Sequence, residues 1–480
     1  MSVSDENFPS VNLVTCEAEP IHIPGRTQPH GILLALDESD WTVAVASANA
    51  PAFLGLKIAS CVGMGLGELV SADSLLRLTK AFLSPDPRPL APIPVTAGDR
   101  EFDGIAHRHN GRLILELEET LPVSDFEPHR LVRFTLTNLK NGLRLKEFCG
   151  AVAREVRALT GYDRVMVYRF DADWNGEVYA EEKRDDLEPF YGLHYPASDI
   201  PAQARRLYHL NLVRQIPDIT YMSSPLIPDR DPQTASSLDL SHAVLRSVSP
   251  IHVEYLQNMG VAASLTISLM KDGRLWGLIA CHHYSPKFLS YRLRSGCETL
   301  AVIVSLQLSA KQDAEDLRHR SEAQDRLVRL TAGLGAGGPP EDGLTTRDFV
   351  SLTRAGAAAV VIGGRVTTFG ATPAAGEITA LVEWLGSGDR DEYATHFLPG
   401  EVADAKTASG LLAVRLGGGD YLMWFRPESG DTVNWAGDPH YKREVTGPHG
   451  PRLTPRGSFA LWKEVQRGRS EPWSECDVDA

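Results

Sequence analysis

Apolar and polar positions follow a few clear periods along this chain. Gly31 to Leu36 and Trp41 to Ala46 are apolar runs on either side of Asp37-Glu38-Ser39-Asp40, the pattern of a hairpin. A helix starting near Asn49-Ala50-Pro51, an amphipathic stretch from Leu75 to Phe82 and a strand at Arg112-Leu113-Ile114-Leu115-Glu116-Leu117-Glu118 complete a first unit of α+β character. Near Pro128 the pattern changes. Apolar residues at 143, 145, 148, 152, 156 and 159 predict one face of a helix. Strands are expected at Arg164 to Phe170, Glu177 to Ala180, Ser264 to Met270 and Arg274 to His282, the last two joined by a turn at Lys271-Asp272-Gly273. Between them, Ile216 to Pro250 is polar and proline-rich, too long for an ordinary connection, and loops of that size usually serve function.

A helical stripe at 293, 297, 300, 304 and 308 continues with coiled-coil spacing at 310, 314, 317, 321, 324, 328 and 331. These predict one helix of roughly 40 residues, stopped by Gly333-Leu334-Gly335-Ala336-Gly337-Gly338-Pro339-Pro340. Such a spine is either a solvated face or a signalling helix that pairs with a second subunit, and the second reading is preferred. Ala357 to Ile362, Leu411 to Leu416 and Tyr421 to Phe425 then read as strands of a third domain. A Gly/Pro-rich excursion from Glu428 to Trp462 holds Trp435-Ala436-Gly437 and Pro455-Arg456-Gly457-Ser458-Phe459.

At 480 residues the chain suggests about three domains. Its net charge of −14 argues against nucleic acid, which is held by clustered Lys and Arg. The start, Met1-Ser2-Val3-Ser4-Asp5-Glu6-Asn7, is polar, and apolar runs such as Leu300 to Leu308 fall short of a membrane span, so a cytoplasmic protein with no membrane partner is expected. Cysteines at 16, 61, 149, 281, 297 and 476 lack paired spacing, which points to reduced thiols and to neither a disulfide framework nor a zinc site. Cys16 stands apart, in a polar segment where a thiol has no packing reason. His282 and His283 suggest a metal pair, but neighbours on a strand face opposite ways, so no metal site is expected; parity alone does not say which histidine faces inward.

Tyr195-Pro196-Ala197-Ser198-Asp199-Ile200-Pro201 is a stiff turn, because two prolines fix their own φ and restrict their predecessors. Its plain reading is a loop with Ser198 or Asp199 capping the helix that follows. Its company is more informative: Arg246 in Ala243-Val244-Leu245-Arg246-Ser247, His252 in Ser249-Pro250-Ile251-His252-Val253-Glu254-Tyr255, the strand end at Cys281-His282-His283, and, upstream, Cys16 before Pro20-Ile21-His22-Ile23-Pro24-Gly25 and Gln28-Pro29-His30-Gly31. Together with the late Pro-Arg-x-Ser-Phe, this order resembles the bacteriophytochromes, the bilin-binding red and far-red photoreceptors, over the whole chain.

The resemblance implies an α+β fold of three domains with antiparallel sheets: an N-terminal segment and PAS domain at 1–127, a GAF chromophore domain at 128–312 and a PHY domain at 313–480, whose tongue covers the 428–462 excursion. It also implies a long connecting helix and a figure-of-eight knot in which the N-terminal segment threads the long loop. The cofactor implied is biliverdin, joined by a thioether to Cys16, since the position before His252, where plant and cyanobacterial relatives carry their linking cysteine, is Ile251. Arg214 and Arg246 would pair its propionates, Asp199 and His252 would serve its pyrrole N–H groups, and His282 would bond the terminal ring's carbonyl. Tyr168, Phe190, Tyr195, Tyr208 and Tyr255 would enclose that ring, with Ile200, Pro201, Ser249, Ser264 and Thr266 lining the same site. In the tongue, Arg456, Ser458 and Trp435 would carry the signal, Arg456 by pairing with Asp199.

No catalytic residue is implied. The expected partners are a second copy of the chain and, through an output module such as a histidine kinase that this sequence lacks, a response regulator. Two other classes share part of the pattern: a light-independent PAS/GAF sensor of a small ligand, which leaves Cys16 unexplained, and an enzyme acting through Cys16, for which no clear base or oxyanion partners are found.

Overall fold

A computed structural model describes residues 19–121, 144–334, 349–386, 391–398, 404, 406–429, 432–439, 443–447, 450–454, 457–465, 468–473 and 475–478. The chain divides into two compact units, Met1–Ser309 with Trp435–Trp462, and Ala310–Asn434 with Lys463–Ala480. Cys16 and Arg456 lie outside the described residues.

In the first unit, a seven-stranded sheet runs in the order Arg26–Thr27, Ser224–Ile227, Val43–Ser47, Gly31–Asp37, Arg112–Glu119, Arg100–His109, Ile93–Ala97. Strand Gly31–Asp37 is almost wholly apolar because both of its faces are covered. Ile32, Leu34 and Leu36 pack with Leu78 and Phe82 of helix Ala72–Phe82, whereas Leu33 and Ala35 pack with Leu226, Leu238, Leu240 and Ala243 of the long loop. That loop also adds its own strand to the sheet, Ser224–Ile227 pairing with Val43–Ser47 on one side and Arg26–Thr27 on the other.

Residues 21–28 are therefore held by both arms of the loop. Leu226 N–H donates to Gly25 O, while Gln28 N–H donates to Leu245 O and Ser247 N–H to Arg26 O. A segment gripped from two sides of one loop is the local arrangement that threading requires.

The unit's other sheet orders Val213–Ile216, Ala263–Lys271, Arg274–His283, Arg164–Phe170, Gly176–Lys183 and His194–Tyr195, and Trp435 continues it by pairing in parallel with His194. One face forms a core of Val165, Val167, Leu265, Ile267, Ile279 and Cys281 against helix Leu145–Thr160 and the start of helix Tyr291–Leu334. Cys61, Cys149, Cys281 and Cys297 are buried free thiols within these cores.

The second unit centres on a five-stranded sheet, Arg365–Gly370, Ala357–Ile362, Asp420–Arg426, Gly410–Gly417, Glu392–Thr395. Helix Ala375–Gly386 covers one face through Ile378, Leu381 and Leu385. Phe349, Leu352 and Ala323 cover the other, around Trp424. Helix Tyr291–Leu334 has 44 residues, and its positions 310, 314, 317, 321, 324 and 328 are all exposed. No helix among the described residues is long and apolar enough to cross a membrane.

Candidate functional site

Strand pairing decides which side chains share the uncovered face of the Ala263–Lys271 sheet. Ile216, Ser264, His282 and Arg164 lie in one row across the strands, and Arg214, Thr266, Ala280 and Met166 in the next. Their alternate neighbours Leu265, Cys281 and Val165 point into the apolar core, so these two rows point the other way. His282 thus shares a face with Arg214, Thr266 and Tyr168. His283 turns to the opposite side, its Nδ1 2.9 Å from Asp163 Oδ2. Among the described residues no group of three or more His, Cys, Asp or Glu is placed to hold a metal ion.

Short helices and the proline turn stand over this face. In helix Pro250–Asn258, the Ser249 hydroxyl is the N-cap and accepts from Ile251 N–H at 3.3 Å. The helix carries His252 and Tyr255, whose rings stack with centroids 6.0 Å apart. Tyr255 Oη donates to Asp199 Oδ2 at 3.2 Å. Asp199 sits in a 3-10 turn, Ala197–Asp199, closed by Asp199 N–H to Pro196 O at 2.9 Å.

Neither Ser198 nor Asp199 caps the helix that follows: Ala202–Leu210 begins behind Pro201 with no side-chain cap, because Ser198 and Asp199 belong to the separate 3-10 turn that ends at Asp199. The next helical turns bring Tyr208 to the sheet, where Ser268 Oγ donates to Tyr208 O at 2.7 Å. Tyr168, Tyr195, Phe190, Ile200 and Tyr208 meet in one apolar cluster, joined by Ala436 and Phe459 from the excursion. Trp435 lies edge-on to His194 at 6.0 Å. Ser458 is exposed, and neighbouring Phe459 packs edge-on against Tyr255 at 5.2 Å.

The arginines are held by backbone. Arg214 donates to Val244 O at 2.9 Å, and also to Ala243 O and Arg246 O, so both terminal nitrogens serve the loop and neither is turned as a fork. Arg246 donates from Nη1 to Ile21 O at 2.8 Å, and its buried Nε finds no partner among the described residues. Burial lowers the affinity of both for their protons, Arg246 down to about 9, with Arg214's charge adding to the effect. Ser249 Oγ donates to Glu19 Oε2 at 2.8 Å, which anchors the chain shortly after Cys16.

Burial also pushes His252 down to about 4, helped by Arg214, and His282 down to about 3, helped by Arg164 and His252. Both rings are neutral near pH 7, and His282 Nδ1 is buried with no hydrogen-bond partner among the described residues. A face with hydroxyls, neutral imidazoles, guanidinium N–H groups and an aromatic cluster fits a flat, mostly apolar molecule bearing carboxylates and ring N–H groups. Two residues of this site give little sign in sequence. Arg164 stacks 3.8 Å over Phe190 and ion-pairs with Glu181, and Gly176 leaves room for Tyr168, whose ring carbon would lie 1.7 Å from an added Cβ. Phe459 is legible only through its motif.

Comparison with known proteins covers all three regions. The family described as PAS fold matches residues 16–120, the GAF domain residues 144–309, and the Phytochrome region residues 322–480. Cyanobacterial phytochrome B of a Nostoc species is 42% identical over 100% of this chain and 66% of its own length. A bacteriophytochrome of Pseudomonas aeruginosa is 39% identical over 98% of this chain and 65% of its own. The chain thus spans about two thirds of the length of these relatives. Among solved structures, a bacteriophytochrome from the photosynthetic bacterium R. palustris superposes with TM-score 0.88 at 40% identity, covering 97% of this chain and 96% of that one. The photosensory core module of a Stigmatella aurantiaca phytochrome gives 0.85 at 42%, covering 98% and 96%.

Proposed function

The chain belongs to the phytochrome family, and on that premise we propose that it is the light-sensing part of a longer red/far-red photoreceptor, carrying biliverdin as a thioether on Cys16. The observation that carries this reading is the buried polar face of the Ala263–Lys271 sheet, where Arg214, Ser264, Thr266 and His282 lie opposite Asp199, His252 and Tyr255. Arg246, with Arg214 beside it, would supply donors for the propionates, Arg246 through the Nε that has no other described partner, and Ser249, which donates its proton to Glu19, lines the same site. Arg214 acts first by bracing that loop. Neutral His252 accepts from pyrrole N–H through water, and His282 donates to the carbonyl of the terminal ring. When bound, the tetrapyrrole supplies the Z/E isomerisation of that ring, and the protein supplies its enclosure and a segment that reads the change.

That segment is the 428–462 excursion, whose Trp435, Ala436 and Phe459 meet the pocket's sheet and aromatic cluster. In this reading Arg456 pairs with Asp199 in one state and Ser458 replaces it in the other. Domain boundaries fall near 127 and 312, the chain pairs with a second copy along the exposed stripe of helix Tyr291–Leu334, and a cytoplasmic output module, a histidine kinase by default, passes the signal to a response regulator.

Attachment provides the test. Purified chain incubated with biliverdin, then denatured, should keep the pigment. Cys16→Ser should still bind it with an altered spectrum but lose it on denaturation. Pigment retained by denatured Cys16→Ser would move the anchor to another thiol, and a wild-type chain that takes up no biliverdin would return the site to a small-ligand sensor.

A further inference from the structure

Residues 243–246, the stretch that presents Arg246, are clamped from both sides. Their carbonyls accept from Arg214. The N–H groups of the middle two are taken by a residue of the other sheet: Glu116, fully buried on strand Arg112–Glu119, accepts from Val244 N–H through Oε1 at 3.1 Å and from Leu245 N–H through Oε2 at 2.7 Å. Neighbouring strand residues Leu115 and Leu117 fill the apolar core behind, so alternation turns Glu116 toward the loop. A buried carboxylate is costly unless several donors meet it, and these two adjacent amides do so with both oxygens at once. Burial nonetheless pushes Glu116 up to about 7, against the pull of the Leu245 and Val244 amides.

We propose that Glu116 is a positioning residue for the carboxylate-binding site, setting Arg246 at the bilin propionates through the backbone of Val244 and Leu245. This rests on the tetrapyrrole reading above. The first domain then reads the ligand's carboxylates without touching them. In Glu116→Gln the amide NH2 would face one of the two backbone donors, so that half of the clamp becomes a donor–donor clash. Residues 244 and 245 shift, and Arg246 with them.

The experiment compares uptake of biliverdin with that of its dimethyl ester, in which the propionates carry no charge, by the full chain. Wild type should prefer the free acid. Glu116→Gln should weaken acid binding about tenfold, the equivalent of one charge-assisted hydrogen bond, and ester binding less than about twofold. Arg246→Leu should lose the same preference, and adding Glu116→Gln to it should change nothing further, as expected of residues acting in series. Should Glu116→Gln fold poorly, Glu116→Asp, which keeps the charge but withdraws it by one methylene, carries the same comparison. Equal loss of acid and ester binding, or an unchanged preference, would overturn the inference while leaving the tetrapyrrole reading intact. A wild type that binds both forms equally would overturn it too. Failure of wild type to bind either form would remove the function reading, and this inference with it.

Discussion

Two sheets in this molecule solve the same packing problem in different ways. The sheet of the second unit is packed on both faces: Ala357, Ala359, Leu411 and Phe425 point to one side, and Ala358, Val360, Leu412 and Trp424 to the other, where the buried guanidinium of Arg426 is held by Asp477 and by the carbonyls of Thr353 and Pro472. In the first unit, the Ala263–Lys271 sheet has one apolar face, and the other mixes Met166, Tyr168 and Leu278 with Arg164, Arg214, Ser264, Thr266 and His282. Filling that second face with hydrocarbon would be the simpler route to stability, since each buried polar group needs a partner. In the proposed function that mixed face is the ligand wall, whereas the face around Trp424, whose guanidinium at Arg426 is ion-paired with Asp477, is a structural core.

Four substitutions test that contrast. The largest effect belongs to the structural sheet. Trp424→Ala removes a buried ring and the bond from Nε1 to Phe349 O, and should lower stability by about 3 to 5 kcal/mol in urea titration of the apoprotein. Gly176→Ala strikes the ligand wall instead. Its Cβ overlaps the Tyr168 ring, so the ring must move at a cost of about 1 to 3 kcal/mol, with the bilin absorption band displaced in the reconstituted protein.

Next comes a pH effect. Burial holds His282 neutral down to about 3, whereas in the unfolded chain it takes up a proton near pH 6.5. Its contribution is present above that pH and is lost as pH falls toward 3. His282→Gln should therefore lose less stability than wild type between pH 7 and 5.5, by roughly 1 to 2 kcal/mol. The smallest change is Thr266→Val. It removes the hydroxyl bonded to Tyr208 and should cost the apoprotein only about 1 kcal/mol, yet reduce bilin uptake measurably. A ligand-wall substitution that destabilised the fold as much as Trp424→Ala would erase the distinction.

How much of this could be read from sequence depended on how local the cause was. The hairpin turn at Lys271-Asp272-Gly273 was legible because Asp272 and Gly273 both adopt positive φ, which those residue types tolerate. The helical stripe over Leu145–Thr160 was legible from its period alone, and its end is set by Gly161 in the left-handed region. The choice between His282 and His283 was not, because parity is relative until pairing with Arg164 and Ser264 fixes the face. Nor was Glu116, whose place in the alternating run Leu113 to Glu118 suggests a solvent-facing carboxylate; the loop that buries it arrives from 128 residues away. The cap expected at Ser198 or Asp199 failed for a nearer reason, since the prolines that stiffen the turn also close it on itself.

In the proposed function the polar face is built around a pigment whose isomerisation the protein reads. A light-minus-dark absorption difference spectrum of the biliverdin-loaded chain tests this. Paired bands of opposite sign are expected in the red and far-red, reversing under the second colour of light and shrinking in His282→Gln and Asp199→Ala. A bound pigment whose spectrum is the same before and after illumination, in wild type, would contradict it.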